Sequence, residues 1–178
     1  MKSKLLKPSQ IITLKDYPVH NEQILKIYFR VFQRNQGMIL PPCSVIHKSS
    51  GIPFALGKDS KSKRYNNLLK KFLQRNPSAE YFLMDGGHKT AAATLAGKQI
   101  PAMVIERDSD FTKAKKLIET GEFFGWYSVE KSIKAALAAL AKHHFDTKQF
   151  LTVEDKVRKM VKNKDVPKYI ISFYETGK

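Results

Sequence analysis

The stretch from Tyr81 to Ile105 constrains this chain most. Tyr81-Phe82-Leu83-Met84 is a short apolar run that reads as a buried strand. Asp85-Gly86-Gly87 follows, a turn signal strong enough to end the strand. His88 to Ala96 is a compact helix with an alanine-rich face, and Gly97 stands at its C-cap position. Ile100 to Ile105 reads as another strand, which Pro101 places at a sheet edge or a strand start. A strand, tight turn, helix and strand in so few residues require a sheet with helices packed on it.

The flanking segments extend this pattern. Ser9 to Leu14 reads as a short edge strand, and Asp16 to Pro18 as a turn. Asn21 is placed to cap a helix in which Ile24, Leu25, Ile27, Tyr28, Val31 and Phe32 recur at helical spacing. Glu22 lies in its first turn, where a carboxylate suits the helix dipole. Gly37 stops that helix, and Pro41 and Pro42 lead into a strand at Ser44 to His47. Ser49 to Asn76 reads as a flexible loop and then a basic amphipathic helix, with Tyr65, Leu68, Leu69 and Phe72 on one side. Beyond Asp110 the chain is expected to be helical, with helices at 112–120 and 129–143, the second capped by Ser128. A third is capped by Thr152, and a last begins at Pro167. The final pair has the spacing of a helix-turn-helix and equally that of a small helical cap.

A strand that ends in Asp-Gly-Gly and flows into a helix has a clear chemical use. The glycines let a ligand approach the backbone. The first helical N–H groups lack intrahelical partners and carry partial positive charge, so they form an anion site. Gly86, Gly87, His88, Lys89 and Thr90 are therefore the candidate phosphate-binding residues. Asp85 is a candidate magnesium ligand or proton acceptor. The same residues also make a plain tight turn with a helix start. The spacing is not that of a Walker loop.

Charge bears on partners. The chain has 32 basic and 16 acidic residues, a net charge of +16. That excess calls for a polyanion, either nucleic acid or phosphorylated small molecules. Lys58, Lys61, Lys63, Arg64, Lys70, Lys71 and Arg75 are opposed in their segment only by Asp59, so they are the candidate nucleic-acid contacts. No apolar run reaches the roughly 20 residues of a membrane helix, and a cytoplasmic protein without a membrane partner is expected. Cys43 is the single cysteine, which leaves no internal disulfide. His143 and His144 point in different directions on a helix and are expected to complement its C-terminus rather than bind metal.

Asp85-Gly86-Gly87-His88-Lys89-Thr90-Ala91-Ala92, followed by Leu95-Ala96-Gly97-Lys98-Gln99-Ile100-Pro101-Ala102-Met103-Val104, resembles the ParB/sulfiredoxin superfamily. The helix from Asn21 and the run Gly37-Met38-Ile39-Leu40-Pro41-Pro42-Cys43-Ser44-Val45 resemble its upstream part. The resemblance covers roughly residues 9 to 108. It implies an α/β (α+β) fold: a small mixed sheet with helices over 1–110, with a basic insertion at about 49–76. A helical C-terminal region then occupies 111–178. It also implies nucleotide-phosphate binding at the turn. Gly87 stands where sulfiredoxins carry their cysteine, which removes that chemistry. Gly86, Gly87, His88 and Lys89 stand where partition ParB proteins carry Gly-Glu-Arg-Arg for CTP. The free-serine kinases of the superfamily are somewhat more similar. His20-Asn21-Glu22-Gln23 resembles their histidine-glutamate-glutamine segment, which implies Glu22 as a base, with Asp85 and His88 as partners in catalysis. The expectation is a nucleotide- or phosphate-binding protein acting on or with DNA, taking ATP, ADP or CTP with magnesium. A small-molecule phosphotransferase is the alternative, and a ParB-like nuclease the third.

Overall fold

The computed structural model describes residues 1–13, 15, 17–19, 21–123 and 130–177. Five strands form one mixed sheet in the order β1-β5-β3-β4-β2. They are β1 (Lys2–Leu6), β2 (Ile11–Ile12), β3 (Cys43–His47), β4 (Tyr81–Asp85) and β5 (Ile100–Ile105). β3 and β5 run parallel, with Val45 beside Val104. β4 runs antiparallel to β3 and parallel to β2. Seven helices are described: α1 (Glu22–Gln33), α2 (Ser60–Arg75), α3 (Gly87–Leu95), α4 (Ser109–Glu119), α5 (Ile133–His144), α6 (Val153–Lys162) and α7 (Lys168–Thr176). The expected α/β fold is therefore observed, helical C-terminal region included.

Strand alternation divides the core between the two faces of the sheet. On β4, Tyr81 and Leu83 join one cluster, while Phe82 and Met84 join the other. The first cluster gathers Leu25 and Phe29 of α1, the alanines of α3, Val153, Val157 and Met160 of α6, and Ile170 of α7. The second gathers Tyr65 and Leu69 of α2, Phe111 and Ala114 of α4, and Ala136 and Leu140 of α5. Helices cover both faces, which is why the central strands are apolar in unbroken runs. The last pair, α6 and α7, spends its apolar face on this core and on α3.

Several elements differ from the sequence reading. The edge strand expected at Ser9 to Leu14 is present but short: Ile11–Ile12 form β2 at the sheet edge, after a 3₁₀ turn at Pro8–Gln10, and β1 at Lys2–Leu6 is an unexpected further strand. Alternation in Lys2 to Leu6 is hidden because four of its five residues are exposed, so no apolar stripe marks it. Leu14 and Asp16 lie outside the described residues. Of the two places expected for Pro101, the strand start is the one observed: it is the second residue of β5, opposite Leu5, and β5 lies between β1 and β3. The basic helix begins earlier than its apolar spacing indicates, because Asp59 caps it by accepting from the N–H groups of Lys61 and Ser62. The cap of α5 is Ser132, whose hydroxyl accepts from Ala135 N–H at 3.1 Å. The expected cap Ser128 and the aromatic residues Phe124, Trp126 and Tyr127 lie outside the described residues. Thr152 and Asp155 form the expected capping box of α6.

Two buried ionisable groups hold these layers. Asp110 is fully buried and ties three segments together. One carboxylate oxygen accepts from the amino group of Met1 at 2.7 Å, and the other from the N–H groups of Glu106 and Arg107. Burial alone would raise its pKa, but these donors together hold it below the usual carboxylate value. His144 closes α5 against the ring of Phe150. Burial, with the neighbouring His143 and Lys15 adding to it, pushes its pKa down to about 3.

The folded state therefore keeps His144 neutral, while the unfolded chain takes up a proton near the ordinary value of about 6.5. This contribution to stability is complete above pH 6.5 and is lost as the pH falls from there toward 3. Urea unfolding at a series of pH values should show stability declining below pH 6.5, by a few kcal/mol in the limit. The decline should be shallower in His144→Gln.

Candidate functional site

The turn between β4 and α3 is built as its sequence suggests. Gly86 has φ +106°, a left-handed conformation that glycine adopts without steric cost. A Cβ there would also meet the Cβ of Cys43 at 2.7 Å, since the start of β3 runs directly beneath. Gly87 opens α3, and Thr90 N–H donates to the Gly86 carbonyl at 2.9 Å to close the first turn. The Asp85 carboxylate accepts from Gly86 N–H at 2.6 Å, so one of its oxygens is directed at the turn itself. The Thr90 hydroxyl is buried and donates to the Gly87 carbonyl at 3.0 Å.

Lys89 is directed inward. It is 7% exposed, and its ammonium donates to the carbonyl oxygens of Pro41 and Pro42. Burial lowers its pKa, opposed by the nearby Cys43 and Asp85. Cys43 is buried, and its thiol is pushed up to about 12 by burial, with Lys89 opposing, so it stays protonated. Positive character at the outer surface of the turn therefore comes from the N–H groups at the start of α3 more than from the lysine.

His88 connects the turn to α1. Its Nε2 accepts from the backbone N–H of Asn21 at 3.2 Å, which assigns the neutral ring with its proton on Nδ1. Asn21 is the N-cap of α1, its side chain accepting from Ile24 N–H. Glu22 is the next residue, exposed, and pairs with Lys26 one turn along. The starts of α1 and α3 thus meet where His88 reaches Asn21, one residue before Glu22 in the chain. His20 lies outside the described residues. Ser44 was not expected in this region. It stands opposite Asp85 across the β3–β4 ladder, at an irregularity in register. Its buried hydroxyl has no partner among the described residues. A lone serine in an apolar strand gives no signal for this in sequence.

The basic residues form a second region. Lys61, Lys63, Arg64, Lys70, Lys71 and Arg75 are all exposed on α2, and exposed Lys58 precedes it. Tyr65, Leu68, Leu69, Phe72 and Leu73 pack into the core from the opposite arc of the same helix. Lys70 lies over the Phe54 ring at 5.6 Å, and Arg64 donates to the Thr147 carbonyl. α2 and α3 pack into different core clusters, so the helix and the turn are carried by opposite faces of the sheet.

Among the described residues, no group of three or more His, Cys, Asp or Glu side chains is placed to hold a metal. No helix of the described residues is long and apolar enough to cross a membrane. No family model, curated protein or solved structure matches the chain.

Replacing Gly86 with alanine tests the build of the turn. The positive φ and the approach of Cys43 should together cost about 2–4 kcal/mol in chemical denaturation. Gly97→Ala, which meets no atom within 4 Å, should cost less.

Proposed function

We propose that this protein is a ParB/sulfiredoxin-like, phosphate- or nucleotide-binding protein that works on or with DNA. The observation that carries the reading is the basic surface of α2, where six cations are exposed on one helix whose apolar side is seated in the core. Such a surface, in a chain of net charge +16, is suited to the phosphate backbone of a duplex. The turn at Asp85 to Thr90 supplies the second element. Its left-handed glycine turns the chain into α3, and the start of that helix presents backbone N–H groups to an anion. In this reading Gly87 and His88 face the phosphates, while Lys89 fixes the turn from below through Pro41 and Pro42.

A phosphotransferase is the second reading, and the bond from Asn21 N–H to His88 favours it. That bond holds the start of α1, and with it Glu22, beside the turn. Glu22 would take the proton of a substrate hydroxyl, and the turn would hold the transferring phosphate. A magnesium ion would enter with the nucleotide phosphates and be held by Asp85, where it would neutralise phosphate charge. The single carboxylate of Asp85 suits a metal shared with phosphates better than one caged by protein alone. For the same reason the nuclease reading has less support.

Duplexes of unrelated sequence should bind with affinity that falls steeply as salt rises. Replacing Lys70, Lys71 and Arg75 with alanine should weaken all of them alike, and lower the salt slope by up to about 3. Binding indifferent to salt, or unchanged in that variant, removes the DNA reading. Thermal shift with ATP, ADP and CTP, with and without magnesium, tests the turn. If the phosphotransferase reading holds, Glu22→Ala keeps the nucleotide-induced shift and loses phosphate transfer to a hydroxyl substrate.

A further inference from the structure

One edge of the sheet is open. β1 is the outermost strand, hydrogen-bonded to β5 on one side, and no described residue pairs with its other side. Lys2, Ser3, Lys4 and Leu5 are all exposed along it. The opposite edge differs: β2 is two residues long, and its Ile12 bridges to Thr152. An open edge presents a row of unpaired N–H and C=O groups, which is a template for one more strand.

A groove of about 280 Å³ adjoins the end of this strand, and Leu5, Phe32, Met38 and Pro101 supply its apolar lining. Phe32 is buried, whereas Leu5 is 52% exposed and Met38 69%. Ile39, the next residue, is 74% exposed. The groove is built around Gly37, where a Cβ would meet the Phe32 ring at 2.2 Å, so the chain lies directly on that ring. Exposed apolar residues scattered singly need no explanation. Here they stand together beside unpaired backbone, which marks a contact surface.

Charge decides what the edge accepts. Lys2, Lys4 and Lys7 are exposed on β1 or just past it, and Lys98 lines the groove. Glu106 is the one carboxylate paired with any of them among the described residues, at 3.3 Å from Lys2 in an exposed and therefore weak pair. Lys4 donates to the Tyr81 hydroxyl. A second copy of β1 laid antiparallel on the first would bring lysine against lysine, between two chains that each carry +16. An acidic strand meets the opposite condition. We propose that the β1 edge docks an extended acidic segment of a partner protein, added to the sheet as a further strand with an apolar side chain in the groove beside Leu5 and Met38. Main-chain hydrogen bonds to β1 hold it, the lysines select its charge, and the groove fixes its register. This surface does not depend on phosphate binding at the Asp85 to Thr90 turn.

The probe is a short blocked peptide that alternates glutamate with valine and ends in leucine, titrated into the full chain and read from backbone amide resonances. Saturable shifts are expected at Ser3 to Leu6, at Met38 and at Gln99. A version with lysine for glutamate should not bind. Two further versions are N-methylated at alternate residues, one in each register, which keeps the side chains and removes one row of N–H donors. One of the two should lose about tenfold or more in affinity. Met38→Glu and the double variant Lys2→Glu/Lys98→Glu, all at surface positions, should each weaken binding about fivefold or more, and their spectra report that they fold. Equal binding of both N-methylated peptides, or binding unchanged in Met38→Glu, would overturn the proposal. So would shifts confined to α2, or no saturable shift at all. Shifts at β1 with duplex DNA but not with the peptide would assign the lysines to DNA, and shifts that grow with the concentration of the free chain would assign the edge to a second copy. Either result would also overturn it.

Discussion

Helix α3 is buried along nearly its whole length, and the other elements are arranged around that burial. Every residue from Lys89 to Leu95 is inaccessible or nearly so. Ala91, Ala92 and Ala93 leave so little side chain that α1, α6 and α7 all pack against the helix while it lies on the sheet. Close packing of this kind tolerates no added volume without displacement of a neighbour. The start of α3 is fixed with equal economy. Gly86 passes over Cys43, and Lys89 anchors the turn to the carbonyls of Pro41 and Pro42. The glycine turn is thus a consequence of how a small-residue helix is seated.

Seating of α3 also explains why lysine at position 89 is not an ordinary surface cation. Its side chain runs beneath the turn and donates to the carbonyls of Pro41 and Pro42. Residues 86 to 88 are left to face outward, and their chemistry is that of backbone N–H groups and one neutral imidazole. The exposed cations singled out in the sequence are elsewhere, on α2. Because α2 and α3 occupy opposite faces of the sheet, one surface carries the exposed cations of α2 and another the candidate anion cradle.

Much of the framework was legible because it rests on local chemistry. The run Tyr81 to Met84, the glycine pair, the alanine-rich helix and Gly97 specify β4, the turn and α3 with little help from distant contacts. Asn21 and Thr152 announce their helices because their side chains bond N–H groups only three residues ahead. Strand β1 was not legible. Its residues alternate little, and it is a strand because β5 offers it a ladder from Lys2 opposite Val104 to Leu6 opposite Ile100. The burial of Asp110 belongs to the same class, since its partners are Met1 and the backbone of Glu106 and Arg107.

The sequence by itself determined the types of most elements, β1 excepted, together with the glycine turn and the exposed cations of α2, since each follows from residues within a few positions of one another. Tertiary structure alone decided which cations are free to meet an anion. Lys89 reads in sequence as a phosphate contact, yet it is buried beneath the turn, and Lys156, which carries no signal in sequence, is buried as well. It also decided that His88 meets Asn21 and that Thr13 faces the α5–α6 connection. Those pairings join residues 67 and 138 positions apart. Spacing along a chain carries no record of such contacts, which arise only when packing brings the segments together.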